Sequence, residues 1–411
     1  METAAAPTTA PHVLVVPFPA QGHTLPLLDF AAVLAARGLR LTVVTSPANL
    51  PLLSPLLAAH PGAVSPLTLP FPSNSSRPSS DDGPIVAVVA DFFCGWAQPL
   101  ARELGAAGIV FSPSGVIGAA VPHSLFRRLV RRPAAAEGGA EESSVTFPAI
   151  PGPRSVRRNI LWNVEESWGF VFNSFMALEG RYLEQPLEDL GFRRVWAVGP
   201  VAPDADAAGS RGGEAAVAAA SLGAWLDAFP EGSVVYVSFG SQAVLTPAVA
   251  AALAEALERS AVPFVWVVGA GSSGVVPEAF EARAAEAHRG MVVRGWAPQL
   301  ATLRHPAVGW FMTHCGWNSV LEAAAAGVPM LAWPMTADQF VNARLLVDEA
   351  RVAVRACAGG FRAAPDPGEL ATVLADAVGD KGRDVRARAK ELAAEAARAV
   401  KPGGSSYADL D

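Results

Sequence analysis

The chain has 411 residues, of which 51% are hydrophobic, and a formal net charge of -7. This length suits two domains of ~100–200 residues each, and the absence of a basic block argues against nucleic acid as a partner. Its three cysteines do not form a disulfide framework, the N terminus lacks a signal-peptide pattern, and no apolar run reaches the ~20 residues that span a bilayer. We therefore expect a cytoplasmic protein, monomeric and without a membrane span.

The N-terminal half begins with a predicted βαβ unit. A buried strand at Val13–Pro17 is followed by an apolar helix at Leu25–Ala36 and a second strand at Leu39–Thr45. Successive strands joined in this way lie in a parallel sheet. His23 is predicted in the turn after the first strand, at the edge where open α/β sheets bind ligands. A loop histidine on its own is more often a surface or capping residue. A functional role for His23 is therefore supported by its position at this edge of the sheet.

Two further strands are predicted at Ile85–Ala90 and Ile109–Phe111. Asp91 follows the first of them and can either cap the next segment or orient a histidine. The turn Ser112–Gly115 follows the second strand and faces the same edge.

A second parallel sheet is predicted after a linker rich in Ala, Gly and Asp at 201–220. A strand at Ser233–Phe239, an Ala-rich helix at Pro247–Ser260 and a strand at Pro263–Val268 repeat the βαβ pattern. Ser241 lies in the turn after the first of these strands, where it can donate to a phosphate or simply cap a helix.

The segment Gly269–Gly274 matches the dinucleotide-binding pattern GxGxxG. That pattern binds a dinucleotide when it follows the first strand of its unit and turns directly into a helix. Here it follows the second strand, and Pro277 lies just beyond. A loop is the better interpretation, although an NAD-dependent oxidoreductase is the rival function that this motif would support.

The segment from Trp296 to Gln339 carries the densest chemistry. Val308–Met312 is a predicted buried strand, residues 313–316 form a turn, and Asn318–Ala326 is a helix ended by Gly327. A strand, a turn of small residues and a helix start together present backbone N–H groups and the positive end of the helix dipole, which favour an anion. His314, Asn318 and Ser319 add side-chain donors there, although His314 alone can equally be a core histidine.

We call this turn and helix start, residues 313–319, the anion seat. A hydrogen-bond acceptor and a further polar pair follow it in the sequence. Glu322 lies one helical turn along and can accept hydrogen bonds from ligand hydroxyls. A second apolar run, Pro329–Trp333, precedes Asp338 and Gln339, which come after a strand's carboxyl end. Together with the aromatic face of Trp296, the anion seat, Glu322 and this polar pair match in turn the base, diphosphate, ribose and hexose of a nucleotide sugar.

The elements WAPQ, HCGWNS, a glutamate and DQ occur in order between Trp296 and Gln339, and Gly22–Pro26 reads GHxxP. At these residues the chain resembles the plant family-1 glycosyltransferases, which use UDP-sugars. The resemblance extends over most of the chain and implies a GT-B fold, an α/β arrangement of two Rossmann-like domains facing a cleft. It further implies domains at 1–200 and 221–400, with residues 201–220 as linker and a C-terminal tail at 401–411 that returns toward the first domain.

The resemblance implies donor-binding roles for the residues of this segment. Trp296 would stack on uracil, Ala297 and Gln299 would meet the base or ribose, and Glu322 would hold the ribose hydroxyls. The diphosphate would lie against Ser241, His314, Asn318 and Ser319, with Trp317 packed behind the sugar. Asp338 and Gln339 would hold the hexose hydroxyls, and a Gln at the last position goes with UDP-glucose in this family.

The resemblance also assigns the catalytic pair. In GHxxP the histidine is the general base, so His23 would take the acceptor's proton, supported by Asp91. This chemistry suits imidazole, which is mostly neutral at neutral pH, because a hydroxyl is a weak nucleophile until it loses its proton. Phe18, Gly22, Phe92 and Ser114 are the expected acceptor-pocket residues.

These roles predict an inverting transfer of glucose from UDP-glucose to a flavonoid or other small phenolic, without a metal or other cofactor. The chain departs from the family near Ser80 and between Ala149 and Asn163, where it is shorter than expected. This shortening supports an alternative, a catalytically impaired homologue that still binds a UDP-sugar.

Overall fold

The computed structural model describes residues 10–69, 83–128, 153–184, 194–201, 216–272, 274–360 and 364–411. The junction at Ser80, residues 149–152 and linker residues 202–215 lie outside them. The described residues pack into two compact units. The first lies within Met1–Pro113, Ala119–Val171 and Tyr182–Val195, and the second within Ser114–Gly118, Phe172–Arg181 and Trp196–Asp411. The predicted domain boundaries stay predictions.

The first sheet has seven strands in the described part of the chain, in the order β3-β2-β1-β4-β5-β6-β7. The pairs from β3 to β5 are parallel, as the βαβ pattern predicts. The strand order reverses between β1 and β4, which makes their carboxyl ends the switch point of this sheet. The strands are β1 His12–Val16, β2 Arg40–Thr45, β3 Val64–Thr68, β4 Ile85–Asp91, β5 Ala107–Ser112, β6 Gly169–Phe172 and β7 Val195–Ala197.

The helices that accompany this sheet include one whose start differs from the prediction. Helix α1 begins at Gln21 rather than Leu25, so His23 lies in its first turn. Pro26 lies inside this helix and has no backbone N–H to donate, yet the helix begins five residues before it. The helices are α1 Gln21–Ala36, α2 Ser54–Ala59, α3 Ala97–Glu103, α4 Val116–Arg128, α5 Pro153–Glu166 and α6 Met176–Glu184.

The second sheet has six described strands, all parallel to their neighbours, in the order β10-β9-β8-β11-β12-β13. Its switch point lies between β8 and β11. The apolar side chains of both strands explain this central position, since burial on both faces is what a central parallel strand requires. The strands are β8 Val234–Ser238, β9 Phe264–Val268, β10 Gly290–Arg294, β11 Val308–Thr313, β12 Met330–Ala332 and β13 Ala353–Arg355.

The helices of the second unit cover this sheet. Trp266, Trp310 and Trp333 are fully buried and pack with the apolar faces of α8 and α13 into one core. The predicted C-terminal tail at 401–411 contains a short helix, whose Ser406 donates to the carbonyl of Gly199 at 2.6 Å. The helices are α7 Ala219–Leu226, α8 Pro247–Ser260, α9 Glu278–Glu286, α10 Gln299–Leu303, α11 Trp317–Ala326, α12 Gln339–Arg344, α13 Pro367–Val378, α14 Arg383–Ala399 and α15 Ser405–Leu410.

Candidate active site

The switch point of the first sheet brings together the two residues predicted to act as a pair. His23 follows β1 and Asp91 ends β4, and these strands are neighbours. His23 Nδ1 lies 2.9 Å from Asp91 Oδ2, while Asp91 Oδ1 accepts the backbone N–H of Phe93 at 2.9 Å. The Asp91 carboxylate is fully buried and the His23 side chain is 21% exposed. A carboxylate only accepts, so Nδ1 carries the proton and Nε2 is left as the basic nitrogen.

Three phenylalanine rings surround this histidine. Phe93 stacks on the imidazole at a centroid distance of 5.1 Å, Phe18 meets it edge-on at 5.3 Å, and Phe92 lies 5.6 Å away. Phe18 and Phe92 belong to the predicted acceptor pocket, whereas the role of Phe93 was missed. Gly22 is exposed and has open space where a side chain would be. The surroundings of His23 are therefore aromatic, which suits a flat apolar molecule.

Helix α5 holds the segment that carries these rings. The buried Asn163 donates to the carbonyl of Phe92 at 2.6 Å, and one turn earlier Asn159 accepts the N–H of Trp96 at 2.9 Å. A side chain at Gly95 would collide with the backbone of Asn159. This close approach fixes the loop after Asp91, and only a glycine permits it.

The second sheet provides the predicted anion seat. Helix α11 begins after Gly316, and its hydrogen-bonded ladder starts with Val320 N–H to Gly316 O at 3.0 Å, so the preceding first-turn amides point out of its N terminus. Asn318 and Ser319 belong to that turn. The His314 ring lies against Gly240, whose absent Cβ would be 2.9 Å from it. Gly240 precedes the exposed Ser241 in the turn after β8, so the two switch-point turns meet here.

The turn between β11 and α11 is held in a fixed shape. Cys315 adopts a left-handed backbone with φ 62°, which is uncommon for a residue with a side chain and marks stored strain. Its N–H donates to Thr313 Oγ1 at 3.3 Å, and its carbonyl accepts from Asn342 Nδ2 at 3.0 Å. These bonds offset the strain and hold His314 in place.

The ionisation of His314 is set by its surroundings. Burial lowers its pKa from 6.5 to about 4, so the imidazole is neutral at neutral pH. It can therefore donate one N–H to an anion but adds no positive charge. The electrostatic attraction of this seat then comes from the N terminus of α11.

One end of the seat is a hydrogen-bonded trio of predicted donor-binding residues. Gln299 Nε2 donates to Glu322 Oε2 at 2.7 Å and to Ser319 Oγ at 3.2 Å. Gln299 opens α10, and the half-buried Trp296 and the buried Ala297 lie two to three positions before it. The structure thus brings the first and middle parts of the predicted donor segment together.

At the other end of the anion seat, hydrogen bonds determine which atoms Asp338 and Gln339 present. Gln339 Oε1 accepts the backbone N–H groups of Met335 and Thr336, each at 2.9 Å, so its Nε2 faces away from that loop as a donor. Asp338 Oδ2 accepts from Asn342 Nδ2 at 3.1 Å and from the Ser114 hydroxyl. The pair therefore presents one donor group and one acceptor oxygen side by side.

Two predicted residues have surroundings that the sequence did not indicate. Trp317 is buried, donates from Nε1 to the carbonyl of Asn173 at 2.7 Å, and has its ring against Gly115. It packs inside the second unit, and its place behind the sugar stays a prediction. Ser114, expected in an acceptor pocket of the first domain, packs with the second unit and bonds to Asp338.

Other residues of the site were missed altogether. Asn342 lies four positions after Asp338, so helical spacing alone could have linked the two. Phe93 and Asn163 gave no such signal, because Phe93 stacks on a ring, and Asn163 bonds to a carbonyl, far away in the sequence. In the described residues, no helix is long and apolar enough to cross a membrane, and no three His, Cys, Asp or Glu side chains are grouped to hold a metal.

Comparison with known proteins agrees with this arrangement. Residues 192–359 match the family model of UDP-glucoronosyl and UDP-glucosyl transferases. The chain is 42% identical to a flavonol 3-O-glucosyltransferase of Arabidopsis thaliana, over 98% of this chain and 95% of that protein. It is 38% identical to a flavonol 7-O-rhamnosyltransferase of the same plant, over 98% and 97%. The first alignment spans 464 positions, so that relative has residues without a counterpart in this shorter chain.

Solved structures match over the same extent. The crystal structure of Arabidopsis thaliana UGT89C1 with UDP-L-rhamnose gives a TM-score of 0.79 at 35% identity, covering 98% of both chains. That of Glycyrrhiza uralensis UGT73P12 with glycyrrhetinic acid 3-O-monoglucuronide gives 0.81 at 27%, covering 98% and 94%. The two parallel sheets with ligand-edge turns therefore define a GT-B glycosyltransferase fold. The chain belongs to the plant family-1 UDP-glycosyltransferases.

Proposed function

We propose that this enzyme transfers glucose from UDP-glucose to a hydroxyl of a flavonoid or related phenolic, with inversion at the anomeric carbon. The contact between His23 Nδ1 and Asp91 Oδ2 is the observation that carries the proposal. It leaves Nε2 as the basic nitrogen, which an acceptor hydroxyl needs. As that oxygen attacks opposite the departing UDP, His23 takes the proton and Asp91 stabilises the resulting imidazolium.

The donor groups are assigned from the order of the polar side chains. Trp296 stacks on the base, with Ala297 and Gln299 beside it, and Glu322 accepts from the ribose hydroxyls. The diphosphate lies against the N terminus of α11, with Ser241, His314, Asn318 and Ser319 as donors. This N terminus stabilises the charge that develops on the leaving UDP, and the proposal requires no metal.

The proposed sugar is glucose because of Gln339. Its Nε2 is the group left to meet the sugar, since Oε1 is bonded to Met335 and Thr336. Paired with the Asp338 carboxylate, it recognises hydroxyls that accept from one side and donate to the other. A rhamnosyltransferase is among the relatives, so the two donors must be compared directly.

The proposed acceptor class follows from the rings around His23. Phe18, Phe92 and Phe93 surround His23 with aromatic rings, and the proposed acceptor is a flat phenolic that packs against this aromatic cluster with a hydroxyl toward Nε2. The flavonol acceptors in the names of two relatives support this class. The three cysteines are thiols, which supports a reducing, cytoplasmic location.

The test is an incubation with UDP-glucose or UDP-rhamnose and quercetin, followed by mass spectrometry and by NMR of the anomeric proton. We expect a β-glucoside and a preference for UDP-glucose. His23→Ala should lose several powers of ten in turnover yet bind UDP as before, whereas His60→Ala, outside the site, should remain active. UDP binding without product from a panel of phenolics would identify an inactive homologue instead.

A further inference from the structure

The Asp338 carboxylate is held on one of its two oxygens. Asn342 Nδ2 donates to Oδ2 at 3.1 Å and the Ser114 hydroxyl donates to the same atom. Asn342 is itself fixed, because its Nδ2 also meets the carbonyl of Cys315 at 3.0 Å. Two donors on Oδ2 define the rotation of the carboxylate about its terminal bond. Oδ1 is then the second acceptor oxygen of this carboxylate.

The segment that carries Ser114 is held in place by hydrogen bonds to Glu179. The Glu179 carboxylate accepts the backbone N–H groups of Val116 at 2.9 Å and Ile117 at 3.2 Å, which are first-turn amides of α4. It also accepts the hydroxyl of Ser174 at 2.6 Å. Glu179 thus caps α4 from a distant helix, and the residue just before that helix start is Gly115, next to Ser114.

The packing around this segment leaves no room for it to shift. A Cβ at Gly115 would lie 2.7 Å from the Trp317 ring and 2.8 Å from Glu179. A Cβ at Gly118 would lie 3.2 Å from Asn342 Oδ1 and 3.3 Å from Asp338 Cβ. Gly115 is therefore needed for this close approach, Gly118 fits tightly beside Asn342 and Asp338, and Ser114 is buried between these contacts.

We propose that Ser114 is a positioning residue for sugar recognition. Its hydroxyl holds Asp338 so that Oδ1 accepts from a hydroxyl of the hexose, while the uridine and diphosphate are bound without it. The inference rests on the proposed function, specifically on Asp338 meeting the donor sugar. It assigns to a serine between β5 and α4 an effect on the affinity for the donor sugar, separate from any contact with the acceptor.

The experiment compares the Kd values of UDP-glucose and UDP by calorimetry, since UDP has the same seat but no hexose. Ser114→Ala should weaken UDP-glucose by about tenfold, the usual effect of losing a hydrogen bond to a charged group, and leave UDP within about twofold. Ser406→Ala is the matched control, because it removes a buried serine's hydrogen bond to Gly199 elsewhere in the same unit and should change neither Kd.

A double-mutant cycle with Asp338→Asn separates positioning from general loosening. In that background Ser114→Ala should add less than about twofold, because the amide oxygen stays on Ser114 and Asn342 and the NH2 replaces Oδ1, so no acceptor is left there for Ser114 to position. An equal loss for UDP and UDP-glucose, a full tenfold effect in the Asp338→Asn background, or no effect at all would overturn the inference. If Asp338→Asn itself spares UDP-glucose binding, the assignment of Asp338 to the sugar fails and the inference with it; if only Ser114→Ala is silent, the proposed function stands.

Discussion

His23 Nδ1 and Asp91 Oδ2 lie 2.9 Å apart at adjacent strand ends of the first sheet. Asp91 does more than attract the histidine, because its other oxygen is bonded to the N–H of Phe93. The orientation of the carboxylate is therefore set by the backbone, independently of the histidine. A side chain that replaces Asp91 is therefore expected to orient with its acceptor atom on the backbone N–H of Phe93.

This constraint makes Asp91→Asn an informative variant. The amide oxygen should remain on Phe93, which turns the amide NH2 toward His23 Nδ1. A donor there forces the histidine proton onto Nε2, so the basic nitrogen is lost while the fold is kept. We expect turnover to fall by about 10³–10⁴-fold, as in other His–Asp pairs, with little change in the Kd of UDP. Steady-state kinetics and calorimetry measure the two quantities.

The control for this prediction is Asp227→Asn, which alters a largely exposed aspartate paired with His305. Its turnover should match that of the unmodified enzyme. Near-normal turnover in Asp91→Asn would mean that the pair does not set the proton position on His23, and the assignment of the base would have to be revised.

The sequence predicted most of the fold because both sheets are built from short apolar runs that end in turn residues. Helix α8 was predicted with the bounds it has, from Pro247 at its first turn to Ser260. The predicted start of α1 at Leu25 was wrong, because the first four residues of the helix, Gln-Gly-His-Thr, precede the apolar run from which it was predicted. Local patterns thus locate elements well and locate their ends less well.

The site was predictable where function depends on a motif and unpredictable where it depends on contacts between distant segments. The sequence indicated His23 and Asp91 as a pair, and the structure brings them together. It gave no sign that Ser114 bonds to Asp338, since 224 positions separate them. The contacts of Trp317 with Asn173 and Gly115 could not be predicted for the same reason, because both residues are far away in sequence.

The neutral state of His314 predicts a specific pH dependence of stability. Its pKa is lowered from 6.5 to about 4 by burial, so the folded state disfavours the proton. Its contribution to the free energy of unfolding is therefore complete above pH 6.5 and is lost as the pH falls toward 4. In His314→Gln the free energy of unfolding should fall less steeply as the pH decreases. Part of the decrease should remain, because the buried His123 also has a pKa lowered to about 4.

Melting temperatures between pH 7.5 and 4 would measure the effect, with an exposed-site variant, His288→Gln, as the control. The Tm of His314→Gln should decline less steeply than that of the unmodified protein. An unchanged slope would mean that His314 is protonated in the folded state at higher pH, and its role at the diphosphate would then include a charge.

The bonding of Gln339 predicts the result of changing its amide alone. Gln339→Glu keeps an oxygen for the N–H groups of Met335 and Thr336 and replaces the amide NH2 with a second oxygen. We expect the loop to stay folded and kcat/KM for UDP-glucose to fall by at least about tenfold, because a hexose oxygen loses its donor. The Kd of UDP should be unaffected. Efficient glucose transfer by this variant would remove Gln339 from sugar recognition.

The buried Glu179 predicts a pH dependence of opposite sign to that of His314. Burial is the largest cause that raises its pKa above the ordinary 4.5, and hydrogen bonds from Ser174, Val116 and Ile117 offset this only in part. Its contribution to stability is therefore fully present below pH 4.5 and is lost as the pH rises through the folded-state pKa. Glu179→Gln cannot ionise, so its Tm relative to the unmodified protein should increase from pH 4.5 to 8, whereas the exposed-site control Glu286→Gln should show a constant difference. A relative Tm that falls with rising pH would mean that the hydrogen bonds to α4 outweigh burial and that Glu179 is held as a carboxylate.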